Sequence, residues 1–128
     1  MADGTDFDLR VRPAADGARV SVSGELDAYT APQLRKVLDE VLDGSVKRLV
    51  VDLCATTFVD STGLGVLVGA SRRAKVQAAE FELDSPSRSV YRVLQITGLT
   101  LSIPIENPPA GLGEDEDRDD EPTLTAPV

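Results

Sequence analysis

The sequence predicts a small α/β domain: a mixed, mostly parallel sheet with an N-terminal antiparallel hairpin and helices packed mainly on one face. Three observations carry that prediction. Two segments of alternating apolar residues open the chain around an Asp-Gly turn, the economical signature of a hairpin. Beyond residue 30, helical and strand periodicities take turns, the rhythm of right-handed β-α-β crossovers and parallel pairing. The length, 128 residues, suits one domain and is too short for two well-packed ones.

Each element follows from its local pattern. Phe7, Leu9 and Val11 alternate with Asp8, Arg10 and Arg12 as in a half-buried strand, which Pro13 is expected to end. After the Ala15-Asp16-Gly17 turn, Val20, Val22 and Leu26 mark a second strand. Thr30 and Gln33 have the spacing of a capping box, and Pro32 in the first turn removes no intrahelical hydrogen bond. Leu34, Val37, Leu38, Val41 and Leu42 then form one apolar helix face, with Gly44 placed to close it. Leu49 to Leu53 is a buried central strand, followed by a loop expected over 54–60. A helix begins at Ser61, buried early and solvated late, where Arg72, Arg73 and Lys75 complement the negative end of its dipole. Phe81 and Leu83 mark a weaker strand. Ser85 and Pro86 are expected to cap a third helix with Val90, Val93, Leu94 and Thr97 inward, ended by Gly98. Leu99, Leu101, Ile103 and Ile105 read as a last alternating strand, at a sheet edge because of Pro104.

Charge divides the chain further. The net charge is −9, yet residues 106–128 hold eight acids (Glu106, Glu114, Asp115, Glu116, Asp117, Asp119, Asp120, Glu121) against Arg118 alone. The domain is therefore expected over 7–105, between a short N-terminal tail, 1–6, and an acidic, disordered C-terminal tail. That tail reads as a solubilising end, with docking or self-masking as its alternative role.

Composition excludes several functions. Without histidine there is no Ser-His-Asp triad and no His-ligated metal. A single cysteine, Cys54, forms no internal disulfide and fits a reducing, cytoplasmic compartment. No basic patch and few aromatics offer nothing to nucleic acid. The longest strongly apolar stretch, 63–70, is far shorter than the ~20 residues of a membrane span. No cofactor, nucleic-acid partner or membrane partner is expected.

The informative segment is the strand-to-helix junction Asp60-Ser61-Thr62-Gly63-Leu64-Gly65. Four readings compete. Asp60 or Ser61 is an ordinary N-cap. A P-loop would need the missing Gly-Lys-Ser/Thr spacing. A nucleophile elbow would need a base that the chain lacks. In the fourth, Ser61 accepts a phosphoryl group from another protein, and the added charge changes what the helix start can bind.

The residues Val59 to Leu67 resemble the signature of the STAS domain of anti-sigma factor antagonists. Gly24-Glu25-Leu26-Asp27 with the helix that follows, and Val90 to Leu99, are similar to that family too, so the resemblance spans roughly residues 7–105. It implies a non-enzymatic partner switch, a monomer or weak dimer. The unphosphorylated protein would bind an anti-sigma factor that is also a serine kinase and so release a sigma factor. Phosphorylation of Ser61 would end the complex, and a serine phosphatase of the metal-dependent class would reset it. The resemblance assigns Asp60 to the docking or acceptor surface, Thr62 as the alternative acceptor, Gly63 to close approach of a partner backbone, and Asp27 to the same surface. Thr62 stands where many relatives have a second serine, and the connection 75–80 lacks their glycine-rich turn. Two alternatives remain: a scaffold or sensor subunit of a stress-signalling assembly, and a nucleotide or small-anion binding module.

Overall fold

The structure, a computed structural model, describes residues 7–110. The N-terminal tail and nearly all of the acidic tail fall outside the described residues. Strands β1 (Asp8–Ala14) and β2 (Gly17–Leu26) form the hairpin, and helix α1 (Ala31–Asp43) leads to β3 (Arg48–Val59). Helix α2 (Ser61–Val76), β4 (Glu80–Asp84), α3 (Arg88–Ile96), a 3-10 turn (Leu99–Leu101) and β5 (Ile105–Glu106) complete the chain. The strands lie in sequence order, β1 antiparallel to β2 and every other pair parallel. The expected fold class is the one observed.

Alternation decides which face is the core. Val20, Val22, Leu49, Val51, Leu53, Phe81 and Leu83 point to one side and join the inward residues of all three helices in a single apolar cluster. On α1 the buried stripe is Ala31, Leu34, Leu38 and Leu42; on α2 it is Gly63, Leu67, Ala70 and Ala74. Each fully buried leucine contributes roughly 1.5–3 kcal/mol of apolar burial. The α2 stripe runs to Ala74, so the helix is not solvated late along its whole girth. Arg73 leaves the expected solvated cluster and pairs with Asp39 (3.0 Å) and Asp43 of α1, tying the two helices together.

The opposite face carries charge that the pattern did not reveal. Arg48 grips Glu82 through both carboxylate oxygens (2.7 and 3.0 Å), and Arg19 bonds Asp84 at 2.6 Å and Asp52 at 3.1 Å. Glu82 and Asp84 are buried, which the charge-assisted bonds make tolerable. Burial pushes the Asp84 carboxyl pKa up, but hydrogen bonds from Asn107, Arg19 and Ser85 outweigh it and hold it below its ordinary value. A carboxylate with a depressed folded-state pKa contributes stability above its unfolded pKa and loses it as pH falls through the folded one. Arg19→Ala leaves Asp84 without its cation and is expected to cost about 1–3 kcal/mol at neutral pH. It should also move the acid limb of the stability curve to higher pH, because the folded-state pKa of Asp84 rises. Urea unfolding between neutral and acid pH checks this; an unchanged midpoint and acid limb would contradict it.

Several local expectations are corrected. Pro13 does not end β1 but pairs with Ala18, tolerated because β1 is an edge strand. The capping box at Thr30 and Gln33 does not form: the Thr30 hydroxyl donates to the Glu25 carbonyl (2.7 Å) and accepts from the Asp27 amide (2.9 Å). At the end of α1 the left-handed residue is Ser45 (φ 61°), while Gly44 stays at φ −80°. The loop expected over 54–60 is mostly strand, since β3 runs to Val59 beside β2 with two register shifts that break its alternation. Gly24 takes φ 99° at the second shift, a conformation few other residues adopt. Ser87, not Ser85, precedes α3, and its hydroxyl bonds the Thr56 carbonyl (2.6 Å). The last strand is only Ile105–Glu106. Gly98 turns the chain at φ 80°, and the Ile103 amide then closes on the Leu99 carbonyl (2.9 Å) instead of joining a ladder. Glu106, the first residue assigned to the acidic tail, thus belongs to the sheet.

Candidate functional site

Parallel strands with helical returns place the starts of α1, α2 and α3 along one edge of the sheet, beyond the carboxyl ends of β2, β3 and β4. The β2 and β3 strands end in register, Leu26 opposite Val59, and the Asp60 amide donates to the Leu26 carbonyl (3.1 Å). The residues that follow, Asp27 on one side and Asp60 on the other, therefore emerge side by side. Four of the five expected site residues, Asp27, Asp60, Ser61 and Thr62, share this edge.

Asp27 organises the first loop. Its Oδ1 accepts from the amides of Tyr29 (3.0 Å) and Thr30 (3.1 Å), and its carbonyl accepts from Ala31 (2.8 Å). The turn holds the Tyr29 ring out into solvent, 90% exposed. Across the edge, Phe58 near the end of β3 is 47% exposed, opposite Glu25. Neither aromatic was among the expected site residues. A signal existed, since the chain has only five Phe and Tyr and these two stand just before helix starts. Exposed aromatic rings are the side chains most enriched at protein interfaces.

Asp60 is the N-cap of α2: its backbone is extended and its Oδ1 accepts from the Gly63 amide (3.0 Å). The bland reading of Asp60 is thus correct and coexists with any other role. Asp60→Ala is expected to cost ~1 kcal/mol and Asp60→Asn much less, because asparagine caps equally well. Thermal or urea midpoints of the two variants measure this; equal losses would contradict a capping role.

Ser61 is the first residue of α2 and is exposed, as is Thr62. Among the described residues neither hydroxyl has a hydrogen-bond partner, and the amides of Ser61 and Thr62 are left unpaired at the positive end of the helix dipole. An anion attached at Ser61 would sit beside two free donors. The arrangement can carry a phosphate. Thr62 also heads an open groove of ≈ 420 Å³ between α1 and α2, floored by Gly65 and Gly69 and closed by the Arg73–Asp39 pair.

Gly63 faces inward in the first turn of α2. It is buried, and a Cβ there would lie 2.7 Å from Leu26 Cγ and 2.9 Å from both the Leu26 carbonyl oxygen and Val59 Cγ2. The glycine serves close approach of α2 to its own sheet.

Cys54 lies exposed on the open sheet face rather than in the core. Burial and the neighbouring Asp52 raise its thiol pKa, which disfavours the reactive thiolate. Among the described residues no cluster of acids and cysteine could hold a metal ion, and no helix is long and apolar enough to cross a membrane.

Comparison with known proteins bears on this edge. The family profile described as "STAS domain" matches residues 7–110. An anti-sigma-B factor antagonist of Listeria monocytogenes is 40% identical over 94 residues, covering 72% of this chain and 81% of the relative. Among solved structures, an anti-sigma factor antagonist from Mycobacterium paratuberculosis aligns with a TM-score of 0.75 at 28% identity, covering 83% of this chain and 90% of the other. The Bacillus cell fate determinant SpoIIAA in its phosphorylated form aligns at 0.61 with 25% identity, covering 77% and 89%.

Proposed function

Because the chain belongs to the STAS domain family, we propose that it is an anti-sigma factor antagonist, switched off by phosphorylation of Ser61. In the unphosphorylated state it binds an anti-sigma factor that is also a serine kinase, and the sigma factor is released. The kinase transfers phosphate to the Ser61 hydroxyl, the complex dissociates, and a metal-dependent serine phosphatase restores the hydroxyl. The chain itself catalyses nothing.

One observation carries the reading: Ser61 presents a hydroxyl without a partner among the described residues at the first position of α2, on the edge where the Asp27 turn also ends. A kinase needs an accessible hydroxyl, and the helix start supplies two free amides for the phosphate. Asp60 fixes the helix start by capping it, and Gly63 keeps that start against Leu26. Asp27, Thr62, Tyr29 and Phe58 form the surrounding docking surface, with aromatic anchors and a polar rim.

Incubation with an anti-sigma factor kinase and ATP, followed by phosphopeptide mass spectrometry, tests the assignment. Phosphate on Ser61, abolished by Ser61→Ala, is the expected result. Phosphate on Thr62 or elsewhere with Ser61 unmodified would overturn it.

A further inference from the structure

The sheet has two edge strands; β5 is two residues long and β1 seven, so β1 is the edge with backbone to offer another chain. Which of its groups are offered follows from β2. The Val22 carbonyl accepts from the Thr56 hydroxyl of β3 (2.8 Å). Successive residues of a strand bond to opposite sides, so Val20 and Val22 turn their backbone to β3, and Arg19, Ser21 and Ser23 turn theirs to β1. The β1 residues paired with those three, Arg12, Arg10 and Asp8, therefore bond to β2. Leu9 and Val11 hold their amides and carbonyls out at the free edge. Pro13 falls in the same outward set, where its missing N–H takes no bond from β2.

The side chains of β1 are arranged for a copy of themselves. Leu9 and Val11 lie on the helix side of the sheet, opposite Val22 and Val20, and the cover there is incomplete: Val11 is 51% exposed. Asp8, Arg10 and Arg12 stand exposed on the open face, the acid first and the bases after it, with Arg10 Nε donating to Asp8 (3.2 Å). We propose that a second copy of this chain pairs antiparallel with the β1 edge, about a two-fold axis at Leu9. Outward residues must then meet outward residues. Leu9 meets Leu9 and Val11 meets Phe7 through backbone bonds. Asp8 of each copy stands opposite Arg10 of the other in the close, non-hydrogen-bonded position, with Cα atoms about 4.5 Å apart. Other centres within Asp8–Val11 are worse. An axis at Asp8 or Arg10 sets that charge against itself. An axis at Val11 sets Arg10 against Arg12 and Leu9 against Pro13, which has no amide to give. The half-exposed Val11 gains an apolar neighbour in Phe7, itself only partly buried. Such a two-fold contact is self-closing, and its shortness makes a weak, concentration-dependent dimer. It is independent of the role of Ser61.

The test is sedimentation velocity of the full-length chain from micromolar to millimolar concentration. Salt at about 0.15 M screens the repulsion between copies beyond roughly 8 Å. The native chain should pass from monomer to dimer. Asp8→Arg and Arg10→Asp each set like charges opposite one another on both sides of the axis, and each should weaken association at least about tenfold. An equimolar mixture of the two variants should associate again, because every acid of one then faces an arginine of the other. The double variant Asp8→Arg/Arg10→Asp should recover on its own for the same reason. Both positions are exposed, and circular dichroism of each variant checks that the fold is kept. A native chain that stays monomeric at millimolar concentration, or a dimer indifferent to both single reversals, would overturn the pairing. Folded variants that fail to associate when mixed would overturn the register.

Discussion

Ser61→Asp is expected to weaken binding to the anti-sigma factor by roughly tenfold or more, at least about 1.4 kcal/mol. Ser61→Ala should bind as tightly as the native chain and persist in the complex when ATP is present. The asymmetry follows from what docking does to the Ser61 position. A hydroxyl or methyl group at the first turn of α2 is buried against a partner at little cost. A carboxylate is not, because its charge must leave water without a cation prepared to receive it. Phosphate, carrying about −1.5 to −2, should act more strongly still. It joins Glu25, Asp27 and Asp60, which already make this edge acidic. The fold itself should be indifferent, since negative charge at a helix start is stabilising by about 0.3–1 kcal/mol. Calorimetric affinities of the two variants, with melting curves beside them, separate a binding switch from unfolding. Equal affinities would contradict a charge-based switch.

Gly63→Ala is expected to destabilise the domain by about 1–2 kcal/mol, the net of overpacking and improved helix propensity. The new methyl would lie 2.7 Å from Leu26 Cγ and 2.9 Å from the Leu26 carbonyl oxygen. The side chain could turn aside, but the carbonyl also accepts from the Asp60 amide and has little freedom. Relief must come from lifting the first turn of α2, which carries Ser61. Gly65→Ala makes the control: a Cβ there meets nothing within 4 Å. Propensity alone should then stabilise that variant, by up to ~1 kcal/mol. Urea midpoints in the order Gly65→Ala above native above Gly63→Ala are the expected result; equal midpoints for the two variants would contradict this packing.

How much of this was legible in the sequence depended on how far each determinant reaches along the chain. The α1 face was read residue by residue, because a helix writes its burial in a local period: Leu34, Leu38 and Leu42 are buried, with Val37 and Val41 packed partly against them. The Asp60 cap was readable for the same reason, its bond spanning only three residues. The second half of β3 was not. Its pairing with β2 includes register shifts, which erase the alternation that marks a strand. Thr30 and Ser85 had good capping chemistry, but the Thr30 hydroxyl donates to the Glu25 carbonyl, the Ser85 hydroxyl donates to Asp84, and the Ser85 amide joins the Glu106 carbonyl across the sheet. The Arg19–Asp84 and Arg48–Glu82 pairs join residues far apart in sequence, so the strand Glu80–Asp84 looked weak when it is firmly held. The inward role of Gly63 likewise depends on Leu26, 37 positions earlier (63 − 26). Tyr29 and Phe58 carry no local mark of exposure, because the periodic pattern expects aromatic rings inside.

The most direct measurement is release of a sigma factor from its purified complex with the anti-sigma factor, followed on addition of this protein before and after phosphorylation. The unphosphorylated chain should release the sigma factor as it takes its place, the phosphorylated chain should not, and phosphatase treatment should restore release. Equal release by both forms, or none by the unphosphorylated form with any anti-sigma factor that phosphorylates it, would contradict the partner switch.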